Sequence, residues 1–76
     1  MASQIYASRR QLAEENGCHP RTIARREKEM RTLIPEVFDL ERDFRNHHIR
    51  ITAFNYFVNH RGQLLVDPSL APPFKR

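Results

Sequence analysis

"LAEENGCHPRTIARRE", residues 12–27, breaks a helical pattern at Gly17, restarts it at His19-Pro20, and carries three arginines in its second half. A left-handed residue is cheapest as glycine, so Gly17 reads as the end of one helix. Upstream, Ser8 and Gln11 have capping-box spacing, which places that helix at about Arg9 to Asn16 with Leu12 and Ala13 on its apolar side. Proline is tolerated in a first turn, so a second helix starts at Pro20 behind His19 and runs to about Leu33. Ile23, Met30 and Ile34 form its inward stripe. Arg21, Arg25 and Lys28 form another stripe about 200° away at 3.6 residues per turn, facing away from the core. Two short helices joined by a tight glycine turn fit a helix-turn-helix. Ala13 lets the helices cross closely, and Ile23 pins the second helix to the first.

Outward from this unit the pattern stays helical. Pro35 stops the second helix or opens the next. Val37, Leu40 and Phe44 recur at intervals of three and four, which predicts a third helix over about Glu36–Asn46, with a break at Asn46-His47-His48. "IRITAFNYFVNHRG", residues 49–62, has strand-like composition, but Ile51, Phe54 and Val58 have helical spacing. A helix is favoured, with Thr52 as cap and Gly62 as stop. "VDPSLAPPFKR" holds three of the five prolines and reads as extended. The expected fold is therefore all-α: a helix-turn-helix domain of three to four short helices over 1–66, then an extended proline-containing C-terminal tail over 67–76.

A chain of 76 residues supports one small domain with a thin core. No apolar run approaches the roughly 20 residues needed to span a bilayer, and the first residues show no secretion signal. A single cysteine, Cys18, allows no internal disulfide and suits a reducing cytoplasm. The net charge of +4 favours a polyanionic partner. Residues 9–31 hold seven basic side chains against four acidic ones, whereas 36–43 is mainly acidic, so one face suits phosphate better than another.

The run Leu12, Ala13, Gly17, His19, Pro20, Arg21, Thr22, Ile23 and Glu27 resembles the helix-turn-helix of the MerR family of bacterial transcription regulators, over roughly residues 6–30. In that family an L-A-x-x-x-G-x-x-x-R-T-[LI] run with a following acidic residue recurs, and the resemblance implies that Arg21 and Thr22 lie at a DNA surface. Beyond it the chain departs from the family. "REKEMRTLIPEVFDLERDF" reads as continuing helix with no wing, and neither a long dimerising coiled coil nor an effector domain follows. Small phage excisionases use a related fold.

These readings make the chain a non-enzymatic, sequence-specific double-stranded DNA-binding regulator, a repressor of bacterial, phage or mobile-element type, in the cytoplasm. An excisionase-like architectural protein is the alternative within that class. Arg21 and Arg25 suit base edges, since a guanidinium meets guanine O6 and N7 with two hydrogen bonds. Thr22 suits a thymine methyl or a phosphate, and Arg9, Arg10, Arg26 and Lys28 suit phosphates. His19 caps the second helix at the same surface. Cys18 with His19 lacks a second ligand pair, so no metal or other cofactor is expected. No nucleophile, base and orienting acid line up, and no glycine-rich phosphate loop or small-molecule substrate is evident. Phe54, Phe57, Val58, Leu70 and Phe74 are candidate contacts for a homodimer or protein partner. They support a rival reading as an adaptor or inhibitor built on residues 54–58 and the tail.

Overall fold

The computed structural model describes residues 4–74. Strand β1 (Tyr6–Ser8) leads directly into helix α1 (Arg9–Asn16), and helix α2 follows at Pro20–Arg31. Ser8 caps α1 by accepting from the Gln11 backbone N–H at 3.2 Å, while the Gln11 side chain pairs with Gln4 instead of closing the box. Gly17 ends α1 at φ 64°, in the left-handed region that glycine enters without a Cβ penalty. His19 Nδ1 accepts from the Arg21 N–H at 3.1 Å, and Pro20 opens α2. These local features match the expected pair of helices and glycine turn, although α2 ends at Arg31 and not at about Leu33, so Ile34 lies in the turn that follows, half-buried.

The remainder overturns the all-α expectation. After α2 the chain turns through residues 32–37, with a cis Ile34–Pro35 peptide. The third helix is not Glu36–Asn46 but a single turn, α3 (Leu40–Asp43). Asp39 caps it, accepting from the N–H groups of Glu41 and Arg42. Strands β2 (Phe44–Arg45) and β3 (His48–Arg50) then form a hairpin where continuing helix and no wing were expected. Asn46 (φ 43°) and His47 (φ 65°) are both left-handed, as a two-residue turn matched to strand twist requires. The sheet is antiparallel in the order β1-β3-β2. Ile49 pairs with Ala7 on one side and Phe44 on the other, so each strand contributes one buried residue to a single inward row. That row is why the segment is sheet: a helix through Phe44 would leave the outer edge of β3 without a partner and Ile49 without its Phe44 neighbour.

Helix α4 (Ile51–Val66) begins after β3. The favoured helix is thus present, although Ile49 and Arg50 belong to the strand. Thr52 does not cap it, Gly62 does not stop it, and His60 kinks it at φ −122°, ψ 18°. Its buried residues Ala53, Phe54, Phe57 and Leu64 meet Leu12 and Ala13 of α1, Ile23 and Met30 of α2, Leu33, Phe38 and the sheet row in one core. The tail folds back over this core. Pro68–Leu70 makes a 3-10 turn, the Tyr56 hydroxyl donates to the Pro72 carbonyl, and Phe74 packs against Phe38 and Tyr56. None of the helices among the described residues is long and apolar enough to cross a membrane.

Candidate nucleic-acid interface

Helix α2 buries Ile23, Glu27 and Met30 and leaves Arg21, Arg25 and Lys28 exposed on the opposite side. Five nearby arginines have intramolecular partners. Arg9 and Arg31 both hold Glu27, at 3.0 and 3.1 Å. Arg26 and Arg61 both hold Glu29, at 3.3 and 2.6 Å, with Arg61 making a two-bond fork. Arg50 lies 3.7 Å from the buried carboxylate of Asp43. Among the described residues, Arg21, Arg25, Lys28 and Arg10 of α1 form no ion pair. The fold therefore sorts its cations into two sets, one holding elements together and one left to solvent.

Glu27 is the joint of the first set. It is 5% exposed and bracketed by the first residue of α1 and the last of α2. The Arg31 guanidinium lies over the Phe44 ring at 4.5 Å, which carries the link on to β2. Burial favours the neutral acid, but hydrogen bonds and charge from Arg9 and Arg31 outweigh it and hold the Glu27 carboxyl below its ordinary value. A carboxylate depressed on folding contributes stability that is present above its unfolded value and is lost as pH falls through the folded one. The stability advantage of wild type over Glu27→Gln should therefore be full at neutral pH and shrink once the pH drops below about 4.5. Urea midpoints measured down an acid series check this, and a gap that stays constant would remove Glu27 as the titrating joint.

The exposed stripe has a different neighbour on each flank. At 100° per residue, Arg31 lies roughly 80° to one side of the stripe's centre and Glu29 roughly 80° to the other. Arg31 borders the hairpin through Phe44, and Glu29 borders α4 through Arg61. The hairpin adds exposed Arg45, Asn46, His47 and His48 beside the helix-turn-helix. The Arg45 and Arg50 guanidiniums each lie 5.8 Å from the Tyr6 ring centroid, steadying the hairpin against β1.

The sequence-derived residues thus fall into distinct places. Arg21, Arg25 and Lys28 come together on one open face, Arg10 is open on α1, Thr22 is half-buried beside them, and His19 caps the helix. Arg9 and Arg26, expected at phosphates, form ion pairs with Glu27 and Glu29. Sequence reasoning missed Arg45 and Arg61. The first had a local signal, an asparagine that favours a left-handed turn, and the second had none. Phe54 and Phe57, assigned to a partner, are 1% and 0% exposed and build the core. Phe74 packs on its own chain, whereas Val58 and Leu70 do reach solvent, at 43% and 57% exposed. Cys18 is half-buried against the core. Among the described residues no three His, Cys, Asp or Glu side chains lie together as a metal set. No protein-family model, curated protein or solved structure matches the chain.

Proposed function

We propose that the chain is a sequence-specific double-stranded DNA-binding regulator that acts without chemistry, by occupying or organising its site. The observation that carries this reading is the division of cations: the buried carboxylates of Glu27 and Asp43 engage Arg9, Arg31 and Arg50, while Arg21, Arg25 and Lys28 form no ion pair among the described residues and line the exposed face of α2. A helix carrying such a row fits a major groove about 12 Å wide, with Arg21 and Arg25 at base edges and Lys28 and Arg10 at phosphates. The hairpin then lies beside the helix, where Arg45 meets the flanking backbone. The MerR-like run of residues 12–27 supports the same placement of Arg21 and Thr22. A cytoplasmic repressor or an excisionase-like architectural role both fit this chemistry.

Selection of bound duplexes from a random library tests the proposal. An enriched motif is expected. Binding to it should fall with salt at a log–log slope of about −5 if six phosphates are neutralised. A pool without enrichment would defeat the sequence-specific reading. Exposed Val58, Leu65, Val66 and Leu70 favour, as a second reading, self-association through the end of α4. A palindromic motif with half-sites one helical turn apart is the outcome that reading requires.

A further inference from the structure

A groove on the α4 flank of α2 is lined by Arg25, Arg26, Lys28, Glu29, Thr32 and Arg61. Four cations there face one carboxylate, an excess of three positive charges. Glu29 takes Nε and one terminal nitrogen of Arg61 and one terminal nitrogen of Arg26, so each guanidinium keeps a free N–H edge. Arg25 and Lys28, on the groove's other wall, have no carboxylate of their own among the described residues. A lone glutamate cannot neutralise this set. Its two-bond hold on Arg61 instead fixes the guanidinium plane in advance, which lowers the ordering cost of a further contact.

We infer that this groove is a phosphate clamp for one strand of the duplex, with Arg61 as its positioning cation and the hairpin serving the other strand. The inference rests on the DNA-binding reading above and adds to it a specific backbone contact from α4. The geometry follows from the two flanks. A helix lying in a major groove has a sugar–phosphate backbone on either side. Here Arg31 and β2 border one side of the stripe, and Glu29, Arg26 and Arg61 border the other. Neutral hydrogen-bonding partners on that second flank would suffice to pack α4 against α2. A cationic excess suits an anion of fixed position.

Duplex affinity measured across a salt series tests the clamp, using the full chain and its selected duplex. Arg61→Gln should weaken binding severalfold and make the log–log slope shallower by about 0.9, one phosphate's worth, with the preferred motif unchanged. Glu29→Gln should keep the wild-type slope, because Arg61 retains its charge even though the amide oxygen can replace only part of the two-bond hold. A merely structural Arg61–Glu29 strut predicts that both variants weaken binding alike with the slope unchanged, and that result would overturn the clamp. Arg61→Lys should retain the wild-type slope. If Arg61→Gln does not fold, wild type on duplexes carrying single neutral methylphosphonates decides: severalfold losses at phosphates flanking the motif on both strands support the clamp, and losses confined to one strand overturn it. Wild type that binds no duplex would instead defeat the DNA-binding reading itself.

Discussion

Phe38→Ala should cost about 3–5 kcal/mol, the usual range for emptying a buried aromatic site. Phe38 is 1% exposed and meets three rings edge-on: Phe57 and Tyr56 at 6.2 Å, and Phe74 at 5.8 Å. It joins the 32–39 connection, α4 and the returning tail. Truncation would open a cavity between three segments and strip Phe74 of one of its two aromatic partners. A domain of this size has roughly 4–11 kcal/mol of total stability at 0.05–0.15 kcal/mol per residue, so the loss is a large fraction of the whole. The expected result is a melting temperature lower by about 12 °C or more, or no cooperative transition. Leu40→Ala is the control. Leu40 is 55% exposed, and its truncation should stay within about 0.5 kcal/mol of wild type. Equal losses from the two variants would contradict the core described here.

That pair also shows where sequence reasoning stopped. Val37, Leu40 and Phe44 have helical spacing, and a helix over 36–46 follows from it. In the structure Phe44 is buried from a strand, Leu40 faces solvent, and Phe38 does the packing. Strands of two and three residues are too short to display a period of two, and their identity depends on pairing between Ala7 and Ile49, which lie far apart in the chain. The same limit hid the ion pair between Glu29 and Arg61, 32 residues apart. In α4 the element was legible but its facing only in part: Phe54 is buried, as its helical spacing implied. Ile51 is half-buried and Val58 exposed, while Ala53 and Phe57, one residue away from the anticipated positions or nearly so, point inward. The helix-turn-helix was legible because its determinants are local. A serine oxygen over an N–H, a glycine at positive φ and a histidine–proline cap act over one turn, so no distant residue can overrule them.

Replacing Arg21 and Arg25 together by alanine should leave folding intact and abolish site-specific binding. Both side chains are exposed and unpaired among the described residues, and alanine is at least as good a helix former, so the unfolding midpoint should move by no more than about 0.5 kcal/mol. A guanidinium on a base edge is worth about 1–3 kcal/mol of discrimination. If the two are independent, the double variant loses about 2–6 kcal/mol, roughly thirtyfold at the least. Residual binding would be salt-sensitive and indifferent to sequence, since Lys28, Arg10 and the hairpin would still meet phosphates. Arg9→Ala should show the converse. It strips Glu27 of one of its two partners, so stability falls while sequence preference persists. Gel-shift titrations at fixed salt, set beside urea unfolding of the same proteins, separate the two cases. On the proposed DNA-binding reading, cations committed to a buried carboxylate hold the fold and cations left to solvent meet the duplex, and that division makes opposite outcomes expected from two arginines of one small domain. Double-variant affinity equal to wild type would mean that the open face of α2 is simply solvated.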